Sequence, residues 1–362
     1  MVIATKGRVS LVDELLASLD VARSRYDGES EVILVDDSEG DDVEGIRASC
    51  VRHDARVVTF GPSVSAKRNR GVSESSHEIV LLLDSDCIAT PNLLIEHAAV
   101  YADSQVGAVA GLLEFVGPDT WFWNAVNNTP FVVCFGFPRW MKTVPWTPTA
   151  NCSIRRDVFL KAGGFDSAFP NKPGGEDVDL GLRITQSGWE MRCCPKALVY
   201  HQKKTWIPVK SMVKRLWHYG SADCFLMERH PDLCWSCYPR QIVITAVVAI
   251  LVFLSALVLS NPLLLVALPI YFTCDILFGA LAMQRYESHK VSFLQQCVVQ
   301  LLILDNEFGF AFRCLQRKEF AFLAKQLVYF DGQATGIQER GSLLWSARFF
   351  ALALTAGFML VA

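Results

Sequence analysis

Charged residues are nearly missing from three long stretches near the carboxyl terminus. Residues 242–260 contain no charged side chain, residues 263–283 contain only Asp275, and residues 343–361 contain only Arg348. Apolar runs of about 20 residues are long enough to cross a bilayer as helices. Helices buried in a soluble core are the alternative interpretation. We predict a membrane span in each of the three stretches.

Glycine-rich phosphate-binding loops are also missing. Neither G-x-x-x-x-G-K-[ST] nor G-x-G-x-x-G occurs, so neither a P-loop nor a dinucleotide-binding fold is supported. Of twelve cysteines, Cys234 and Cys237 have C-x-x-C spacing, and no second pair completes a zinc site. Cysteines in a cytosolic domain are usually free thiols. We interpret this pair as part of a membrane-edge segment, with a zinc or redox role as the alternative.

Basic residues flank the predicted spans. Only Asn261 and Pro262 separate the first two spans, which therefore form a hairpin. Lysines and arginines occur on both sides of it, including Lys203, Lys204, Lys210, Lys214, Arg215 and Arg240 before and Arg285, Lys290, Arg313, Arg317, Lys318, Lys325 and Arg340 after. The positive-inside rule places both flanks in the cytosol. Because no signal peptide precedes the first strand, we expect a multi-pass protein of the cytoplasmic (inner) membrane with a cytosolic first domain.

Short apolar strands alternate with helical patterns at the start of the chain. Leucines recur at helical spacing between residues 11 and 19. The predicted strands are Val2–Ala4, Glu31–Val35, Arg56–Phe60 and Ile79–Leu83. This alternation predicts an α/β fold with a mostly parallel sheet covered by helices on both faces.

Polar residues follow these strands where each one ends. They are Thr5, Asp36 and Asp37, Arg68, and the pair Asp84 and Asp86. Since parallel strands end at one edge of a sheet, we expect these side chains to share a crevice. Two carboxylates one residue apart offer hard oxygen ligands to Mg²⁺ or Mn²⁺. An isolated D-x-D is most often a surface turn, so the interpretation depends on the neighbouring motifs.

Eight short motifs occur in an order that resembles family 2 glycosyltransferases. They are Ile3–Arg8, Val35–Ser38, Ser65–Gly71, Asp84–Asp86, Thr149–Arg155, Gly163–Asp166, Gly175–Asp177 and Val199–His201. The resemblance covers about residues 1–230 and implies a GT-A type domain, a sandwich that binds a nucleotide sugar. Residues 231–362 then form an all-α membrane region. Lys6-Gly7 departs from the aromatic-Asn pair that is usual in the first loop.

The resemblance implies a role for each matching residue. Thr5, Asp36 or Asp37, and Arg68 would bind the nucleotide base. Asp84 would lie near the ribose and sugar, with Asp86 as a metal ligand beside it, and His201 would be a third metal ligand. The implied partners are a divalent cation, a nucleotide-sugar donor, a lipid-linked or glycan acceptor and a membrane, with no nucleic acid.

Two acidic residues are candidates for catalysis. In the resemblance, Asp177 is the base that takes the proton of the acceptor hydroxyl, and Glu176 is the first alternative. A carboxylate suits this role when an apolar wall or a neighbouring acid raises its pKa. An acidic surface turn before a helix at residues 178–186 is the competing interpretation. For His201, a structural role is the alternative to a metal ligand.

Residues 291–330 combine phenylalanines with basic residues. The phenylalanines are Phe308, Phe310, Phe312, Phe320, Phe322 and Phe330, and the basic residues between them are Arg313, Arg317, Lys318 and Lys325. This pattern suits helices in the membrane interface, with packing against the catalytic domain as the alternative.

Three functions compete. The first is an inverting, metal-dependent transfer of one sugar to a lipid-linked or membrane-proximal acceptor, as in the succinoglycan-assembly type that residues 214–231 resemble. The second is a processive polysaccharide synthase, which the missing Q-x-x-R-W motif and the three spans disfavour. The third is a membrane sensor of nucleotide sugars, which would have no need of Asp177.

Overall fold

The computed structural model describes five ranges, 1–169, 174–236, 239–286, 291–329 and 337–362. Cys237, Lys290 and Phe330 lie outside them, so the sequence predictions that involve these residues stay predictions. The chain divides into two compact units. The first contains residues 1–118 and 131–206, and the second contains residues 119–130 and 207–362.

The first unit is built on one sheet. Its eight strands in chain order are β1 (Val2–Thr5), β2 (Ile33–Asp36), β3 (Arg56–Thr59), β4 (Ile79–Asp84), β5 (Cys87–Ala89), β6 (Val106–Val116), β7 (Asn151–Arg155) and β8 (Glu190–Gln202). Their spatial order is β3-β2-β1-β4-β7-β6-β8-β5. Strands β1–β4 are mutually parallel, as predicted, and β6 is parallel to β8. Strands β5 and β7 run antiparallel to their neighbours.

A short antiparallel sheet in the second unit pairs β9 (Cys234–Ser236) with β10 (Lys325–Leu327), an exception to the predicted all-α region. Thirteen α-helices complete the two units. They are α1 (Val9–Ser24), α2 (Asp41–Arg52), α3 (Val64–Glu74), α4 (Leu93–Val100), α5 (Trp121–Val126), α6 (Pro130–Val133), α7 (Arg156–Lys161), α8 (Glu176–Gln186), α9 (Val209–Arg229), α10 (Gln241–Val258), α11 (Ala267–Tyr286), α12 (Phe293–Arg317) and α13 (Ile337–Val361). The count covers the described ranges only.

The predicted leucine pattern forms the inner face of α1. Leu15, Leu16 and Leu19 are fully buried against the core side of the sheet, where Ile3 of β1 and Leu34 of β2 lie. Apolar residues three and four apart form one stripe of a helix, so the same spacing that predicted α1 also determines which face packs. The prediction of this helix is confirmed.

Parallel pairing aligns the ends of three strands. Thr5 pairs with Asp36 across β1 and β2, and Ala4 pairs with Asp84 across β1 and β4. The polar residues that end these strands therefore lie along one edge of the sheet, in agreement with the predicted crevice.

The second unit contains the apolar helices. Three segments are long and apolar enough to cross a membrane, Gln241–Val258, Pro262–Arg285 and Gly341–Val361. They correspond to the three predicted spans. A short 3-10 helix, Pro262–Val266, follows the predicted hairpin turn and leads into α11.

Helix α12 covers most of the segment predicted to hold interfacial helices. Asp305 and Glu307, the acidic residues that follow its apolar first half, lie within this helix, which runs from Phe293 to Arg317. Glu307 accepts a hydrogen bond from the backbone N–H of Ile242 at 2.9 Å, which provides this acid with a partner inside the unit. Helices α9 and α12 are in backbone contact, because a Cβ on Gly220 would lie only 1.8 Å from the Asn306 carbonyl oxygen.

Candidate active site

The acidic pair lies where β4 turns into β5. Asp84 ends β4, Cys87 begins β5, and Asp86 lies in the tight turn between them. Strand β5 pairs antiparallel with β8, and Cys87 is opposite His201 in this register. The pairing brings the histidine to the acidic pair although the two are far apart in the chain.

His201 faces both carboxylates. Its Nε2 lies 3.3 Å from Oδ1 of Asp86 and 3.9 Å from Oδ2 of Asp84. Its Nδ1 lies 3.2 Å from the backbone carbonyl oxygen of Gln202, so the proton on Nδ1 is donated there. In the neutral ring this leaves the Nε2 lone pair directed at the carboxylates. Burial opposes protonation, but the two aspartates outweigh it and raise the pKa of His201.

The second oxygen of Asp86 has partners of its own. Oδ2 accepts hydrogen bonds from Nη1 of Arg8 at 3.3 Å and from the Thr205 hydroxyl at 3.0 Å. The Asp86 side chain is buried, whereas that of Arg8 is 47% exposed. Oδ2 is thus held by the protein, and Oδ1 is the oxygen that faces His201.

Arg68 connects the acidic pair to the first residue of α8. Its Nη2 donates to Oδ1 of Asp84 at 2.9 Å, and its Nη1 donates to Oε1 of Glu176 at 3.1 Å. The other oxygen of Glu176 accepts from the Gly174 N–H at 2.7 Å. Burial of Asp84 favours the neutral acid, but His201 and Arg68 hold the pKa of Asp84 well below its ordinary value.

Asp177 is the second residue of α8. Gly174 and Gly175 precede the helix with φ of 144° and 85°, values that glycine adopts readily and other residues do not. Burial and then the neighbouring Glu176 raise the pKa of Asp177 to about 7, against an opposing effect of Arg68. Oδ1 of Asp177 accepts the Val178 N–H at 2.9 Å. Within this pair, Glu176 is held on both oxygens by protein donors.

The predicted base-binding residues lie at the ends of β1 and β2. Thr5 and Asp36 are buried, and Oδ1 of Asp36 accepts from both the N–H and the hydroxyl of Ser38. Asp37 is ion-paired with Lys67. Arg68, the fourth predicted residue, instead lies with Asp84 and Glu176.

The donor set near His201 suits a hard divalent cation. Ligands about 2.1 Å from an octahedral ion lie about 3 Å from one another, close to the 3.3 Å between His201 and Asp86. Asp86, Cys87 and His201 offer atoms within 4.8 Å of one another. Burial raises the pKa of the Cys87 thiol far above its ordinary value, so a thiolate ligand is disfavoured. The Asp86 carboxylate and the neutral imidazole of His201 remain as candidate ligands, and the Asp84 carboxylate lies beside them.

Three residues in this region were missed by sequence reasoning. Arg8 and Lys67 belong to recognised motifs but carried no predicted role, and Thr205 follows the last motif by four residues. Two consecutive cations in α3, Lys67 and Arg68, were the available signal. On a helix they diverge by about 100°, so each was free to reach a different acidic group.

Comparison with known proteins identifies the family. The model of the glycosyltransferase-like family 2 matches residues 1–217 of this chain. The chain belongs to this family. The resemblance inferred from the eight motifs is thereby confirmed, while the narrower resemblance to succinoglycan-assembly transferases stays a prediction.

Two curated glycosyltransferases match part of this chain. The pre-mycofactocin glycosyltransferase of Mycobacterium tuberculosis is 29% identical over 244 residues, which cover 64% of this chain and 48% of that protein. The N-acetylglucosaminyl-diphospho-decaprenol L-rhamnosyltransferase of the same species is 33% identical over 89 residues, 25% of this chain and 28% of that protein. The chain spans about half the length or less of these relatives.

A solved structure shares the fold. The mannosyltransferase PcManGT from Pyrobaculum calidifontis, in complex with GDP-Man and Mn²⁺, superposes with a TM-score of 0.54. The similarity covers 84% of this chain and 85% of that one at 16% sequence identity. The predicted GT-A type fold with apolar carboxyl-terminal helices is confirmed.

Proposed function

We propose that this chain is an inverting, metal-dependent glycosyltransferase that moves a sugar from a nucleotide donor to a lipid-linked or membrane-proximal acceptor. The observation that carries the proposal is the arrangement at the sheet edge. There His201 faces both Asp84 and Asp86, and Arg68 connects Asp84 to Glu176, the residue before Asp177 in α8. A cation-binding group for a diphosphate and the residue next to the candidate base are thus held in one network.

Each residue at the sheet edge has a separate task in this proposal. Asp84, Asp86 and His201 would hold the cation, which supplies positive charge against the diphosphate leaving group. Arg8 and Arg68 add fixed positive charge at the same edge. Glu176, with both oxygens held, anchors Arg68 and leaves Asp177 as the acid available to act as a base.

The transfer is a single displacement at the anomeric carbon. The acceptor hydroxyl oxygen forms the new bond as the bond to the diphosphate oxygen breaks on the opposite face. The hydroxyl proton passes to the carboxylate of Asp177, and the nucleoside diphosphate leaves. Attack from the opposite face inverts the anomeric centre, as in one-step inverting glycosidases.

The acceptor proposal rests on the second unit and on one relative. Three helices are long and apolar enough to span a membrane. The rhamnosyltransferase relative is named for a decaprenol-diphosphate substrate, which is a lipid-linked sugar. We therefore propose a polyprenyl-linked acceptor presented at the cytosolic face of the cytoplasmic membrane.

A donor panel tests this function. Purified full-length protein in lipid nanodiscs is mixed with Mn²⁺, single nucleotide sugars and polyprenyl-diphosphate-linked acceptors, and release of nucleoside diphosphate is measured. We expect release that depends on the lipid acceptor and yields an anomeric configuration opposite to that of the donor. Retention of the anomeric configuration, or release of nucleoside diphosphate that does not depend on the acceptor, contradicts the proposal.

The pKa of Asp177 predicts the acid limb of the pH profile. A carboxyl with a raised pKa is protonated below that pKa, and only the deprotonated form accepts a proton. We expect kcat to fall about tenfold per pH unit as the pH is lowered below about 7. A kcat profile between pH 5.5 and 9 checks this. A kcat that stays constant down to pH 5.5 would exclude Asp177 as the titrating base.

Loop charge predicts the membrane topology. With both hairpin flanks in the cytosol, the third span is expected to end outside the cytosol. A reporter that is active only outside the cytosol should therefore be active when it is fused after Ala362. A fusion within the loop between α11 and α12 serves as the cytosolic control. An inactive reporter after Ala362 would contradict the third span.

A further inference from the structure

The second and third predicted spans contain one charged residue each, and the two charges have opposite signs. Asp275 is the only charged residue of the stretch 263–283, and Arg348 is the only one of the stretch 343–361. In the structure, Nε of Arg348 lies 3.7 Å from Oδ1 of Asp275, so the two charges meet between α11 and α13. An ion pair between the sole charges of two apolar helices calls for an explanation.

The ion pair is buried and has a third member. Asp275 is 3% exposed and Arg348 is 8% exposed. Gln241, the first residue of α10, donates a hydrogen bond through Nε2 to Oδ2, the second oxygen of Asp275. Each of the three apolar helices therefore contributes one polar side chain to the same point. Because Gln241 begins the first span, this point lies near the cytosolic end of the predicted helices.

Apolar side chains from the same three helices pack together beside the pair. The buried members of this cluster are Ile244, Val248 and Val252 of α10, Ala267 and Tyr271 of α11, and Ala351 of α13. Lipid tails are as apolar as these side chains, so apolar contacts alone give little preference for a docked helix over a helix surrounded by lipid. A buried charge without a partner is far more costly. The ion pair therefore distinguishes the docked arrangement more sharply than the apolar cluster does.

Glu307 of α12 is a second acid close enough to be influenced by Arg348. Burial raises the pKa of Glu307, and the positive charges of Arg240 and Arg348 oppose this shift. The Oε2 atom of Glu307 is occupied by the N–H of Ile242, at the start of α10. Asp275 is the acid at ion-pair distance from Arg348, and Glu307 is the alternative partner that an experiment has to separate from it.

We propose that Asp275 and Arg348 form an interhelical lock that docks α13 against α11. Removal of either charge leaves the other one buried without a partner, and α13 then separates from α11. Removal of both charges eliminates the cause of the separation. The lock lies within the second unit and would act whatever reaction the first unit catalyses, so it is separate from the transferase proposal.

Thiol cross-linking measures the docking of α13. The ring centroids of Phe278 in α11 and Phe350 in α13 are 6.4 Å apart. Full-length protein with Phe278→Cys and Phe350→Cys is placed in lipid nanodiscs and treated with a short bifunctional thiol reagent. Mass spectrometry of the peptides gives the yield of the 278–350 link and separates it from links between native cysteines. We expect Asp275→Asn and Arg348→Gln each to lower this yield on the order of tenfold.

The double variant Asp275→Asn/Arg348→Gln shows whether the charges act as a pair. It replaces the ion pair with two neutral polar side chains, so no buried charge is left alone, and we expect the yield to return to within about twofold of the starting protein. A yield no higher than that of the single variants overturns the lock, as do single variants with an unchanged yield. If a single variant does not accumulate as folded protein, accumulation of the double variant decides: recovery supports the lock, and continued loss contradicts it.

Two further variants control for the choice of acid. Asp305→Asn removes an acid of α12 that lies outside the predicted spans, and the yield of the 278–350 link should stay unchanged. An equal loss in Asp305→Asn and in Asp275→Asn would show that the effect is not specific to the pair and would overturn the lock. A loss in Glu307→Gln with none in Asp275→Asn would overturn the assignment of Asp275 as the partner of Arg348. Because cross-linking requires no turnover, failure of the lock and failure of the transferase function are distinguished.

Discussion

Asp177→Asn is expected to reduce kcat by a factor on the order of 10²–10⁴, the usual contribution of general base catalysis. Asparagine keeps the size of the side chain and cannot take the acceptor proton. Donor binding should persist, because the groups proposed to bind the donor lie with Thr5, Asp36, Asp37 and the acidic pair rather than at α8. The measurements are kcat, KM and the donor Kd of the purified variant.

Glu176→Gln separates the base from its neighbour. Both oxygens of Glu176 are held, by Arg68 and by the Gly174 N–H. Glutamine retains one carbonyl oxygen, so this variant should lose part of the Arg68 contact and bind donor less well, with a smaller effect on kcat than Asp177→Asn. A change in KM alone for Asp177→Asn would assign that residue to substrate positioning instead. Normal kcat in Asp177→Asn would assign the base role to another residue.

The fold near the sheet edge could be predicted because its signals are local. Thr5, Asp36 and Asp84 each follow an apolar strand, and parallel strands end at one edge. The leucine spacing of α1 likewise depends only on the helical repeat. Such features need no knowledge of which distant segments pair.

The partners of these residues could not be derived from residue patterns alone. The approach of His201 to Asp86 depends on the antiparallel pairing of β5 with β8, and the family resemblance supplied the only hint of it. The bonds of Arg68 depend on where α8 begins relative to α3. The ion pair of Lys67 with Asp37 requires the α3 helix to lie over β1 and β2. All three contacts depend on how segments that are distant in the chain pack together, and no short motif encodes that packing.

Asp86→Asn is expected to lower turnover by at least about 10²-fold, because a bound cation supplies several kcal/mol of stabilisation to a developing charge. The carbonyl oxygen of asparagine can still accept the hydrogen bond from the Thr205 hydroxyl, so we expect the local fold to persist. The asparagine side chain carries no negative charge with which to bind a cation. An excess of chelator should have a similar effect on the unmodified protein, and added Mn²⁺ should reverse it.

Metal binding is measured directly as well as through turnover. Calorimetry with Mn²⁺ alone should show binding to the unmodified protein that is strongly weakened in Asp86→Asn and in His201→Gln. Asp41→Asn, a change in an exposed acid at the start of α2, is the control and should bind Mn²⁺ normally. Full turnover in excess chelator would contradict the metal requirement. Charge stabilisation of the diphosphate would then be assigned to Arg8 and Arg68, the two guanidinium groups that hold Asp86 and Asp84 at the same edge.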